Sequence, residues 1–599
     1  MSVVSSRVTS VSSILKGSGV RTALVGPQKK ICFKLPRDLK TVLLNYENGR
    51  DRQAYQDMIC ILRDSNVKDH ELLELLKDLQ ECMSMLGSVH SLFIEVILNI
   101  SWINRAPEVT ACFKKFVLEL LCMHIYHSKL VINKLIFKFR STDEGATQWI
   151  NGKCPESYIA KIGHIHDLLK KFLQLIPMSS GLLVQSLTSI YPHTSEGILV
   201  TEQYLLALVH IMNYAPQLRK DILCLIIDRL IALDVSVPPS EIQNFEDGDM
   251  EEDEDEAIFD MDDSTAKNNG KNTVDMQMKH PGAQMLDICM EQILSYIHNF
   301  CYVNGQLQID PLKSIYNDLL YAFEKLILPT YASHHVQFLM FYLCSFKSAV
   351  TEAFVRWLWQ KVSNPNVAPI LRQSAVLYIA SLLARATYVT IGLIQGVLSE
   401  MSTWIHSYIS SQDSLECANS DVRVHAVFYS VCQAMFYLLA FRHKDLMDGE
   451  RNLRFLEGLN LNKIVTCRLN PLKVCQSAVV QNFAAVTRKY QLAYCYTVIE
   501  RNARSNLPVQ YSSNRYQSLN WLDTFFPFDP YRLVLSGQRI TELYNNSQTA
   551  ISNESHVSTN KVEFDDDDFI DENFSSHSFE AQNRLDKFSY STSPGFKYT

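Results

Sequence analysis

Apolar residues recur at intervals of three and four along most of this chain. In EVTACFKKFVLELL (108–121), Phe113, Phe116, Val117, Leu120 and Leu121 fall at i, i+3, i+4, i+7 and i+8, while Lys114 and Lys115 lie off that stripe. This spacing predicts a helix with one buried face. It returns in PQLRKDILCLIIDRLIALDV (216–235) through Ile222, Ile226, Ile227, Leu230 and Ile231, and in ILRQSAVLYIASLLARA (370–386) through Leu371, Ala375, Ile379, Leu382 and Leu383. Breaks between such segments fall commonly at Pro, Asn or Gly, where helices stop. No period-two alternation of comparable length interrupts them.

The pattern predicts an all-α protein. Helix after helix with one apolar face suits a HEAT or armadillo-type α-solenoid, because each pair hides its stripe only by stacking on its neighbours. A compact all-α domain is the competing reading, since no residue-level repeat is visible. The expected divisions are a mobile N-terminal segment (1–38), a first helical half (39–240), an acidic disordered loop (241–282), a second helical half (283–540) and a disordered tail (541–599).

Charge is what marks the loop and the tail. EDGDMEEDEDEAIFDMDD (246–263) holds twelve carboxylates and EFDDDDFIDE (563–572) seven, with no Lys or Arg in either. Such segments cannot bury enough apolar surface to offset their chain entropy, and a long insertion between helices costs little in loop closure. Setting the two runs aside leaves 45 acidic residues against 56 basic ones. The formal net charge of −8 therefore masks a basic body, and the acidic loop reads as a tethered polyanion that screens it from nucleic acid.

Chemistry is sparse. The fifteen cysteines are dispersed and form no CxxC pair, as expected of reduced buried thiols inside a cell. No phosphate loop, nucleophile elbow or HExxH motif occurs, so no catalytic residue and no cofactor is expected. The histidine pairs His124/His127, His164/His166 and His334/His335 have no suitably spaced Cys or carboxylate for a metal site. LLELL (72–76) matches an LxxLL docking helix, but in a leucine-rich helical chain it reads first as core. No apolar run approaches a membrane span, and the N-terminus lacks a signal peptide's apolar segment.

Long words near the end of the helical region carry more information: LNPLKVCQSAVVQNFAAVTRKYQLAYCYTVIERNAR (469–504) and LDTFFPFDPYRL (522–533), preceded by CYVNGQ (301–306), HVQFLMFYLCSFKSAVTEAF (335–354) and FYSVCQAMFYLLAFRHKDL (428–446). In this order they closely resemble the RNA polymerase I-specific transcription initiation factor family, over about residues 40 to 535. The resemblance implies a HEAT-repeat solenoid interrupted by an acidic loop. It also implies a non-catalytic factor, controlled by phosphorylation, that binds RNA polymerase I near its stalk and bridges it to the promoter-bound core factor. The expected location is the nucleus and nucleolus. A homodimer in the free state, DNA contact that is at most weak, and no membrane complete the expected partners. A HEAT-solenoid nuclear transport receptor or another adaptor is the alternative, with a helical enzyme third.

The resemblance also implies a serine-bearing polymerase contact on the first half. Candidates are Ser128, Ser179, Ser180, Ser186 and Ser189, with Lys134, Lys138 and Arg140 supplying positive charge. The plainer reading makes Ser179 and Ser180 helix caps and the lysines a solvated face. Ser593, before a proline, and Ser575, Ser576 and Ser578, after an acidic run, are phosphorylation candidates. Phe525, Phe526, Phe528 and Tyr531 of FFPFDPY either cap the end of the solenoid or dock the core factor.

Overall fold

The computed structural model describes residues 38–64, 67–140, 154–237, 242, 278–331, 333–414, 422–505 and 526–545. They form helices almost throughout, in two compact units, Met1–His127 and Ser128–Thr599. None of the described helices is long and apolar enough to cross a membrane.

In the first unit the helix Asp69–Glu81 packs on Pro107–Met123. The stripe Phe113, Phe116, Val117, Leu120 and Leu121 is buried as its spacing predicts, and Trp102 stacks on Phe113 at 4.7 Å between ring centres. Leu72, Leu75 and Leu76 of LLELL lie in the same core, so this motif is packing rather than a displayed docking helix. Arg105 fixes the start of the pair by donating to the Val67 carbonyl and to the Asp69 carboxylate, at 2.7 and 2.9 Å.

The second unit divides the chain differently from the expected halves. The helices Arg219–Ser236 and Pro281–Cys301, which flank the acidic loop in sequence, pack on each other inside one body. Asp234, fully buried near the end of the first of them, ties that body further. Its carboxylate accepts from the N–H groups of His334, His335 and Val336 at 2.8, 2.8 and 3.2 Å, from the Ser333 hydroxyl, and from His335 Nδ1. Burial alone would raise this carboxyl, but His335 and the backbone donors overcome it and hold the group down at about 2.

Further along, the helix Pro369–Arg385 lies between Ser348–Ser363 and Ala426–Phe441, and the last of these also packs on Ser477–Lys489. Each helix is thus covered by its neighbours, as stacked repeats require. The single-stripe expectation fails for two of them: every residue of Ala375–Arg385 and of Phe428–Leu439 is buried. A short hairpin also interrupts the helices, pairing Tyr302–Val303 with Gln306–Leu307. Asn304 (φ 52°) and Gly305 (φ 75°) turn it, the left-handed pair that a two-residue hairpin loop demands.

The all-round burial traces to the chain's return. Residues 526–545 form a strap that runs back across the middle of the unit. Phe526 stacks on Tyr437 at 4.0 Å, and Phe528 packs against Phe338, Phe341 and Tyr378 at 5.2, 5.1 and 5.7 Å. The Phe528 N–H donates to the Ser381 hydroxyl, and Gln337 donates to the Pro527 carbonyl. Beyond them Arg539 clamps Glu291 through both Nε and a terminal nitrogen, at 2.8–3.0 Å. At its end the strap exchanges backbone bonds with the chain after Pro369–Arg385, through Thr387 N–H to Leu543 O and Asn545 N–H to Arg385 O.

Candidate functional site

The serine candidates fall on two packed helices and the turn that feeds one of them. Ser128–Phe137 lies against Ser180–Ser189, and residues 177–179 form the tight turn before the latter. The sequence builds this pairing from Val131, Ile132, Leu135 and Ile136 on one side and Leu183 and Leu187 on the other, all buried. Arg140 locks the ends together by donating to the Ile190 carbonyl and pairing with the Glu196 carboxylate.

The five serines do not form one exposed patch. Ser128, Ser179 and Ser186 are buried, Ser180 is half-buried and Ser189 is exposed. Ser179 precedes the helix but makes no side-chain cap bond. Its hydroxyl turns back to the Ile176 carbonyl at 2.6 Å. Ser186 and Ser189, expected to share a face at i, i+3, differ in exposure, and the Ser189 hydroxyl donates to the Ser186 carbonyl. The reason is that Ser186 sits beside Leu183 and Leu187 on the stripe facing the partner helix.

Lys134, on the first helix, and Lys138, in the turn just after it, are half-buried. Burial, with Lys134 adding to it, lowers the Lys138 ammonium below the usual lysine range. Sequence reasoning missed three apolar residues on these elements and the helix before them: Phe137, Leu175 and Met178 are exposed, the last at 90 %. Arg140 lies over the Phe137 ring at 5.2 Å. An exposed methionine in a tight turn carries no periodic signal, so nothing in the pattern could have singled it out. Exposed apolar side chains on elements that also carry cations and hydroxyls have the mixed character of protein-contact surfaces.

Of FFPFDPY, the residues from Phe526 onward are described. Phe526 and Phe528 are buried and Tyr531 is half-buried, with its ring against His335 and Phe338 at 5.2 and 4.8 Å. These residues therefore pin the strap across the middle of the unit rather than closing the end of a helix array or presenting a docking patch. A position late in sequence suggested the end of the array, but the chain doubles back. Phe525, Ser575, Ser576, Ser578 and Ser593 lie outside the described residues, as do both acidic runs.

The histidine pairs serve packing. His124 Nε2 meets the Met83 carbonyl at 2.8 Å and His127 Nε2 the Leu86 carbonyl at 3.2 Å, while His166 Nδ1 meets the Tyr214 hydroxyl. Among the described residues no group of three or more metal-ligating side chains assembles.

Taken together, the described residues define an all-α protein of stacked helices. The chain belongs to the RNA polymerase I specific transcription initiation factor RRN3 family, which it matches over residues 35–550. It is 36% identical over 558 residues to the RNA polymerase I-specific transcription initiation factor RRN3 of Mus musculus, covering 88% of this chain and 84% of the relative. It is 27% identical over 499 residues to the rrn3 factor of Schizosaccharomyces pombe, covering 80% of each. The crystal structure of RNA polymerase I transcription initiation factor Rrn3 shares the fold, with a TM-score of 0.65 at 22% identity over 85% of this chain and 97% of that one. The transport-receptor alternative finds no support among these relatives.

Proposed function

We infer that this chain is an initiation factor for RNA polymerase I. It binds the polymerase in the stalk region and bridges it to the promoter-bound core factor, so that only the factor-bound enzyme starts ribosomal RNA synthesis. It acts in the nucleus, at the nucleolus, without catalysis. The observation that carries this reading is the similarity to the named mouse factor along most of both chains. The polymerase contact is the paired helices Ser128–Phe137 and Ser180–Ser189. Ser180, Ser189, Lys134 and Lys138 supply its polar part, and Phe137, Leu175 and Met178 its apolar part.

Phosphorylation controls the association. A phosphate on Ser189 adds roughly −1.5 to −2 charge, which largely cancels that of Lys134 and Lys138. Ser128, Ser179 and Ser186 are reached by a kinase only when the helix pair opens. A homodimer of the free factor, and DNA contact that is at most weak, complete its interactions. The test is co-purification of the recombinant chain with RNA polymerase I and, in parallel, polymerase II, before and after phosphatase treatment. Selective capture by polymerase I supports the reading, and equal or absent capture by both defeats it.

A further inference from the structure

Between residues 461 and 505 the chain carries seven basic side chains and one acid, Glu500. All seven bases are exposed. Local packing makes one surface of them, because the helix Cys495–Ser505 lies against Leu461–Thr466, Pro471–Val474 and Ser477–Lys489 alike. Asn470 and Asn502 exchange side-chain amide hydrogen bonds at 2.6 and 3.2 Å. This holds the turn bearing Arg468 beside the helical turn bearing Arg501 and Arg504. Arg488, near the end of the neighbouring helix, lies over the Tyr496 ring at 5.4 Å. Tyr494, at 74 % exposure, and Tyr496 add open aromatic area. Glu500 meets Arg504 at 3.9 Å with both side chains mostly in solvent, a pairing that cancels little of the charge.

A surface of charge +6 from so short a stretch attracts a polyanion, and the chain supplies one. EFDDDDFIDE (563–572) has seven carboxylates and no base, with Phe564 and Phe569 interleaved. Its tether begins at Asn545, anchored to the Arg385 carbonyl at 2.7 Å. Only the helix Ala426–Phe441 separates Pro369–Arg385 from Ser477–Lys489, with Phe436 stacked on Phe483 at 4.2 Å. Two interhelical spacings amount to about 20 Å. The segment 546–562, seventeen residues long, extends to about 60 Å at most, so the acidic stretch reaches the basic surface with length to spare. A tether of this kind holds its end at an effective concentration on the order of millimolar. Modest electrostatic attraction then suffices for occupancy.

We propose that residues 563–572 dock on the basic surface of the helices Ser477–Lys489 and Cys495–Ser505 and the turn at Arg468, occupying it as a built-in competitor of nucleic acid. The stretch is thus an intramolecular mimic of a phosphate backbone, displaced when a stronger polyanion arrives or when salt screens the contact.

The experiment uses the full chain. Zero-length carbodiimide coupling followed by mass spectrometry is expected to join Asp565–Asp568 to Lys473 or Lys489, with a yield independent of protein concentration and lost in high salt. In parallel, the quadruple variant D565N, D566N, D567N, D568N is expected to bind a random-sequence DNA duplex about tenfold more tightly at low salt. Adding R488E, R501E and R504E is expected to abolish that gain. All seven substitutions fall on positions that are exposed or outside the described residues, and an unchanged circular dichroism melt confirms that the fold is intact. Absence of these cross-links, links that grow with concentration and so come from a second copy, or DNA affinity unchanged by neutralising the tail would each overturn the proposal. A gain seen only on deleting 246–263 would assign the surface to the acidic loop and overturn it equally. No polymerase enters the measurement, so its result stands apart from the function inferred above.

Discussion

Ser536 donates both its backbone N–H, at 2.8 Å, and its hydroxyl, at 2.5 Å, to one carboxylate oxygen of Asp287, 249 residues earlier in the chain. The other Asp287 oxygen accepts from Leu535 N–H at 2.7 Å. One buried carboxylate thus binds the strap to the helix Pro281–Cys301. The charge is neutralised by donors rather than by a cation, which makes the carboxylate and the strap mutually dependent.

Asp287→Ala therefore leaves two backbone N–H groups without an acceptor, while the Ser536 hydroxyl keeps the Tyr531 hydroxyl at 2.8 Å. At about 1–3 kcal/mol for each buried unsatisfied group, the two N–H groups together lose about 2–6 kcal/mol. Limited proteolysis should show new cleavage within 526–545, together with a lowered melting temperature. Asp287→Asn keeps one acceptor oxygen and should lose less.

Acid should destabilise the fold through two largely buried histidines, in a window that opens near pH 6.5. Burial, with His210 adding and Asp167 opposing, holds His166 down at about 3, and burial holds His334 down at about 4 despite Asp234. An unfolded histidine titrates near 6.5. Because the folded values lie below that, the unfolded chain takes up these protons first. The contribution of these two histidines is level above about pH 6.5 and falls as pH drops toward 4 and 3, whereas Glu202, held up at about 7 by burial, acts in the opposite sense between about 7 and 4.5. Each histidine costs about 2 kcal/mol by pH 5, at about 1.4 kcal/mol per pH unit. Urea midpoints at pH 7 and pH 5 should converge by about one proton's worth in His166→Gln. Asp234 acts in a lower window, since its depressed carboxyl contributes stability above about pH 4 that is lost toward 2.

The candidate contact separates exposed from buried positions. Met178→Ala should leave the melting temperature unchanged, because an exposed side chain far from any special feature contributes within about 0.5 kcal/mol. It should weaken polymerase capture by about 1–2 kcal/mol. Ser189→Asp should weaken capture with the fold intact. Ser186→Asp buries a charge against Leu183 and Leu187 and should lower the melting temperature first. Equal melting temperatures for both serine variants would contradict the burial that separates them.

Much of the helical fold was legible in the apolar spacing, because the stripe at Phe113 to Leu121 needs nothing beyond its own helix to be read. Burial on all sides at Ala375–Arg385 was not, since it depends on a strap 150 residues away that the local pattern does not announce. Asn304-Gly305 did carry a hairpin signal, but two-residue strands are too short to show alternation. At the contact surface the resemblance pointed to serines and the spacing could not rank them. Ser186 and Ser189 look alike in sequence and differ only in which one faces the partner helix. Phe137 and Met178 were passed over because exposed apolar residues look like core residues until the packing is known.

The most direct test of the central claim is hydrogen–deuterium exchange of the chain alone and bound to RNA polymerase I. The account predicts new protection at 134–140 and 175–189, on the paired helices and the turn that precedes the second. Protection confined to 461–505, or to the first unit, with those segments unchanged, would contradict it.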